Sequence, residues 1–159
     1  MNYHTTPVAE FHAAFGHPIE TKPTVPSAAQ RLLRIKLLAE ELCEFAAGAG
    51  VVLTISQRPC EPLAMGNYED VIEVREAHNA EVNLVECADG LTDLRYLVDG
   101  GNLIFGFPGD ALLAEVHRSN MSKLGADGKP LTRDDGKTMK GPNYFKPDIA
   151  GVLRTASED

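Results

Sequence analysis

The stretch SAAQRLLRIKLLAEELCEFAAG, residues 27–48, decides the fold class. Ser27 is a good N-cap, and Leu32, Ile35, Leu38, Leu42 and Phe45 recur at helical spacing. Gly48 to Gly50 stops the pattern, so residues 28–47 are predicted as a long amphipathic helix. A second helical pattern runs from about Asn79 to Phe105, with Leu84, Ala88, Leu91, Leu94 and Val98 on one side. Gly100 and Gly101 weaken its last turns. The two long amphipathic helices are expected to pack on one another as the seam of a helical bundle.

Shorter elements flank this pair. Thr6, Pro7 and Gly16 bound a short helix with Val8, Phe11, Ala14 and Phe15 as its apolar face. Pro18, Pro23 and Pro26 then impose an extended arm of the kind that lies across a neighbour. Pro108, Gly109 and Asp110 start a helix over Ala111–Ser122 with Leu112, Leu113 and Val116 inward, and a last short helix is expected from Pro147 to Thr155. Between the long helices, Val51, Leu53 and Ile55 alternate, as do Ile72 and Val74, which predicts a small β-hairpin around an insertion over 51–70. A second hairpin tip is expected at Asp134-Asp135-Gly136, inside a glycine-rich basic tail. The expected organisation is one domain over 1–159: an N-terminal helix and arm (1–26), a helical core (27–123), then the tail and short helix (124–159).

Composition narrows the partners. Fifteen Lys+Arg against 23 Asp+Glu leave a net charge of -8, a poor match for a nucleic-acid backbone. No run approaches the ~20 apolar residues of a membrane span. Cys43, Cys60 and Cys87 form no CxxC pair, and Met1 to Glu10 has no signal-peptide pattern, which together suggest a reduced, cytoplasmic protein.

The chemistry-bearing residues sit on the two long helices. Glu40, Glu41 and Glu44 are neighbours on one helical surface, and Glu86, Asp89 and Asp93 repeat the pattern at i, i+3 and i+7. Like charges at these spacings repel, and both rows abut the apolar stripes. Carboxylates gathered at a bundle seam call for protons or a cation, and an all-oxygen donor set suits Mg²⁺ or Mn²⁺. A di-iron bundle would need Glu-x-x-His, and no glutamate here has a histidine three residues on. The Gly136-Lys137-Thr138 run is no P-loop, because Leu131 stands where its first glycine would be.

These residues resemble a known family. Glu40-Glu41-x-x-Glu44 followed by Glu86-x-x-Asp89 is similar to the EExxE…ExxD signature of the MazG-like and phosphoribosyl-ATP pyrophosphohydrolase-like all-α nucleoside triphosphate pyrophosphohydrolases. Asp93 to Val98, Ala114 to Lys123, Asp127 to Pro130 and Lys140 to Phe145 are similar to segments of its phage and bacterial branch. The sequence departs from some relatives at Gly90, where they carry a glutamate three residues before the aspartate that is Asp93 here. The second-helix metal ligands are therefore either Glu86 with Asp89 or Asp89 with Asp93.

The resemblance implies a helical bundle completed by dimerisation and Mg²⁺-dependent cleavage of a (deoxy)nucleoside triphosphate to monophosphate and pyrophosphate. Glu41, Glu44, Glu86, Asp89 and Asp93 are then the metal-ligand candidates, and Glu40 or Glu41 the proton acceptor for the attacking water. Arg118, Asn120, Lys123, Lys129, Lys140 and Tyr144 are the substrate-binding candidates, and the tail over Leu124–Phe145 is expected to close as a lid. Two rival expectations stand beside this: hydrolysis of phosphoribosyl-ATP, and a catalytically silent acidic helical dimer acting as a regulatory module.

Overall fold

The computed structural model describes residues 6–55, 72–133, 136 and 138–158. Among them the chain forms helices α1 (Pro7–Phe15), α2 (Ala28–Gly48), α3 (Leu84–Phe105), α4 (Gly109–Met121) and α5 (Ile149–Glu158). Strands β1 (Val51–Ile55) and β2 (Ile72–Glu76) lie between α2 and α3. Among the described residues the fold is all-α apart from this two-stranded sheet and an isolated bridge in the tail. Its packing divides into two compact units, 27–98 and 1–26 with 99–159.

In the first unit, α2 begins with a full capping box: Gln30 N donates to Ser27 Oγ (3.3 Å) and Ser27 N donates to Gln30 Oε1 (2.8 Å). β1 and β2 pair antiparallel from Val51↔Glu76 to Ile55↔Ile72, the expected hairpin. Its connecting segment, with Cys60, lies outside the described residues. α3 starts at Leu84 rather than near Asn79, and the reason is local. Asn79 has φ 58°, in the left-handed region, and Asn83 Oδ1 accepts from Val85 N (3.0 Å) and Glu86 N (3.4 Å) as the true cap.

Glycines set how closely α2 and α3 approach. A methyl group at Gly90 would stand 3.0 Å from the Phe45 backbone, and one at Gly48 would stand 2.8 Å from Glu86 Cβ. The late residues of α2 thus meet the early residues of α3, so the pair is antiparallel.

The apolar stripe expected on α2 is split. Leu38 and Phe45 are half-buried, together with Arg34, Leu37 and Glu41, whereas Leu32 (72% exposed) and Ile35 (68%) face away from that packing. Seven residues make nearly two whole helical turns, so Arg34 and Glu41 share the same inward face as Leu38 and Phe45.

In the second unit, Thr6 Oγ1 caps α1 by accepting from Ala9 N (3.3 Å), and Gly16 (φ 69°) closes it. The buried face of α1 is Val8, Ala9 and His12, not the expected Phe11 and Phe15, which stay exposed. Holding His12 inward is a hydrogen bond from its Nδ1 to the Pro18 carbonyl (2.9 Å). The proline arm lies across a neighbour as expected: Glu20 N and Thr24 N donate to the Leu103 and Phe105 carbonyls at the end of α3 (2.8 and 2.9 Å). On α4 Leu112 is half-buried but Leu113 is exposed, and the buried positions are Gly109 and Ser119. α5 starts two residues later than expected, where Asp148 Oδ1 accepts from Gly151 N (2.9 Å). Thr132 and Thr138 form an antiparallel bridge in the tail, while Asp134 and Asp135 of the expected hairpin tip, and Lys137, lie outside the described residues. Among the described residues no helix is long and apolar enough to cross a membrane.

Candidate active site

The carboxylates of the first unit form one acidic seam between α2 and α3. Glu41 is its centre. Its Oε2 has no accessible surface and no hydrogen-bond partner among the described residues. Loss of solvation, followed by the fields of Glu44, Asp93, Asp89 and Glu40, pushes its carboxyl above the ordinary carboxylate range. Those four groups from two helices act on one oxygen pair, and no cation is among the groups that shift it.

Glu40 stands at the edge of the seam, exposed, with Lys36 Nζ 3.5 Å from its Oε1. Glu86 lies against Gly48 and is not among the groups acting on Glu41, whereas Asp89 and Asp93 both are. The structure thus couples Glu41 to the Asp89 and Asp93 pair. The absence of a glutamate at Gly90 also has a physical reason: that position is the contact point of the helices, and any side chain there would collide with Phe45. Among the described residues no three His, Cys, Asp or Glu side chains converge tightly enough to hold a metal ion as they stand. In donor chemistry the seam fits a hard divalent cation, because its groups are all carboxylates and one buried oxygen lacks any partner.

One basic residue on this face lies outside the substrate-binding set expected from the motifs. Arg34 is half-buried, its Nε has no accessible surface and no hydrogen-bond partner, and burial draws its guanidinium below its ordinary pKa. Its spacing of seven from Glu41 is the signal in the sequence that places it here.

The expected substrate-binding residues all belong to the second unit, where most have partners. Arg118 Nε and Nη2 donate to the two oxygens of Glu115, each at 2.8 Å, and its guanidinium lies 4.3 Å from the Phe145 ring centroid. Glu115 Oε1 also accepts from Asp148 N (2.7 Å), so one carboxylate ties α4 to the start of α5. These two bonds hold Glu115 below the ordinary carboxylate range, and the same pairing raises Arg118. Lys123 Nζ donates to Asn120 Oδ1 (2.8 Å), and Lys140 Nζ lies 4.7 Å from the Tyr144 ring centroid. The backbone N of Lys129 donates to Asp127 Oδ1 within the tail turn (3.0 Å).

Both ends of the tail are fastened. Gly141 N donates to Lys123 O (2.9 Å), Ser119 Oγ to Phe145 O (2.8 Å), and Phe145 N to Ser122 Oγ (3.2 Å). Gly141 sits so close to the Leu124 carbonyl that no side chain would fit there. Any lid motion is therefore confined to the hairpin between these anchors.

Comparison with known proteins identifies the family of the chain. The family model described as phosphoribosyl-ATP pyrophosphohydrolase matches residues 8–120. That span contains both acidic rows. No curated protein matches the chain. Among solved structures, one similar chain is a candidate NTP pyrophosphohydrolase from Exiguobacterium sp. 255-15, at 28% identity and a TM-score of 0.46, covering 99% of this chain and 98% of that one.

Proposed function

The chain belongs to the phosphoribosyl-ATP pyrophosphohydrolase family, and on that premise we propose that it is a Mg²⁺-dependent hydrolase splitting a (deoxy)nucleoside triphosphate into monophosphate and pyrophosphate. The observation that carries this is the Glu41 carboxylate, its Oε2 buried and unbonded among four other acids. A fold selected for stability alone would not assemble this cluster. A phosphoanhydride hydrolase has a use for it, because a polyphosphate approaches carboxylates only when cations stand between them. Glu41, Glu44, Asp89 and Asp93 would hold the ion, and Mn²⁺ could replace Mg²⁺ on the same oxygens. When bound, it supplies Lewis-acid polarisation of the phosphoryl group and a more acidic water. Glu40, exposed at the edge of the seam, accepts the proton of the attacking water, and the expelled pyrophosphate leaves in line.

Phosphoribosyl-ATP carries the same α–β phosphoanhydride, so it belongs in the same test. All NTPs, all dNTPs and phosphoribosyl-ATP are incubated with the protein and Mg²⁺, and pyrophosphate is read against orthophosphate. Pyrophosphate from one or more NTPs or dNTPs supports the proposal. Release from phosphoribosyl-ATP alone replaces it with the narrower activity, and no release from any of them refutes it in favour of the silent regulatory module.

We also propose that a second copy of the chain covers the exposed apolar residues of α2 and α3, among them Leu32, Ile35, Leu84 and Leu91. Light scattering at micromolar concentration is expected to show a dimer or larger assembly. A monomer alone would refute this.

A further inference from the structure

The Nε of Arg34 has no hydrogen-bond partner among the described residues. The basic residues of α2 are Arg31, Arg34 and Lys36. Arg31 and Lys36 are exposed, and Lys36 reaches Glu40. Arg34 instead lies on the inward face, two helical turns before Glu41 and about 10 Å along the axis. Its Nε is sealed from solvent without a hydrogen bond, and it is not among the charges acting on Glu41. A guanidinium cannot shed its charge as a lysine can, so burial without an anion is costly at every accessible pH.

Resting on the pyrophosphohydrolase reading, we infer that Arg34 is a phosphate-binding residue of the acidic seam, its guanidinium pairing with the polyphosphate of the substrate. One general property of arginine and two observations converge on this. The planar fork of arginine matches two phosphate oxygens at once. Only acids are among the charged groups that shift Glu41, and Lys36 at the edge is engaged with Glu40, so a departing pyrophosphate needs a further cation. The Arg34 Nε is a buried donor with no hydrogen-bond partner among the described residues, on the same face of α2 as Glu41. Glu41 and Arg34 then divide one face of α2 between them, the acid serving the cation and the arginine the anion.

The test uses inorganic tripolyphosphate with Mg²⁺ as probe, read by titration calorimetry on the full chain and on Arg34→Gln, Arg34→Lys and Arg34→Met. Thermal melting of each free protein is recorded alongside. Tripolyphosphate is expected to bind the native chain, about tenfold or more weakly to Arg34→Gln, with Arg34→Lys in between because it keeps charge but loses the fork. The free Arg34→Met protein is expected to melt at or above the native temperature, since an unpaired buried charge is removed. Equal affinity in Arg34→Gln, or no binding to the native chain, overturns the inference. So does a lower melting temperature in both Arg34→Met and Arg34→Gln, which would identify a structural ion pair instead. If tripolyphosphate binds as expected but no nucleotide is hydrolysed, the activity reading fails and the Arg34 assignment stands.

Discussion

The two units of this protein treat charge in opposite ways. In residues 99–159 nearly every ionic group discussed has found a partner: Arg118 is locked to Glu115, Glu115 also accepts from Asp148 N, and Lys123 holds Asn120. Residues 27–98 keep the exposed Lys36–Glu40 pair but leave Glu41 crowded by like charges and the Arg34 Nε without an acceptor among the described residues. Paired charges specify geometry, since each bond fixes one element against another. Unpaired charges at a seam are an unfavourable arrangement that a fold keeps for ligands. The difference separates residues that shape this chain from those that would act in it.

The sharpest way to break the comparison is to neutralise the seam. Glu41→Gln, Glu44→Gln and Asp89→Asn are each expected to cut Mg²⁺-dependent turnover by about 100-fold or more, the scale of losing a positioned acid or base. Without Mg²⁺ the Glu41→Gln protein is expected to melt no lower than the native chain, because it carries one repelling charge fewer. Activity near native in all three variants would show the seam to be inert.

Steric closure of the seam comes next. Gly90→Ala puts a methyl group 3.0 Å from the Phe45 backbone, where no flexible side chain can give way. A destabilisation of about 1–3 kcal/mol is expected, as for other overpacked sites. Urea unfolding measures it, and an unchanged midpoint would mean that α2 and α3 are free to separate there.

The two units should also answer pH differently. The folded chain favours protonated Glu41, so its contribution to stability declines as pH rises from the ordinary carboxylate value to the raised one. Glu115 is held below its ordinary value, so its contribution is present above that value and is lost as acidification passes the depressed one. Mutating either acid to glutamine should flatten its own limb of a melting-temperature profile between pH 3 and 7 and leave the other limb in place. Coincident loss of both limbs would count against separate origins.

The smallest effect concerns the tail. Because its ends are anchored at Lys123 and Phe145, deletion of 129–140 is expected to raise KM severalfold through lost phosphate and ring contacts, with little change in melting temperature. Unchanged kcat and KM would leave the hairpin as surface.

What the sequence determined by itself was whatever depends on neighbours along the chain. Helix periodicity, the capping of α2, the alternation of β1 and β2 and the two acidic rows are each set within a few residues along the chain. The family resemblance rests on the same local motifs. Only the tertiary structure decided which faces turn inward. It split the stripe of α2, so that Arg34 and Glu41 are half-buried while Leu32 and Ile35 are not, and it chose Val8, Ala9 and His12 over Phe11 and Phe15 in α1. It also set Asp89 and Asp93, rather than Glu86, around Glu41, and gave Gly90 its reason. Periodicity fixes the relative angles of side chains on a helix but not the helix's rotation about its own axis. That rotation is set by the contact of Gly48 and Gly90 with residues some 40 positions away, which no local pattern encodes.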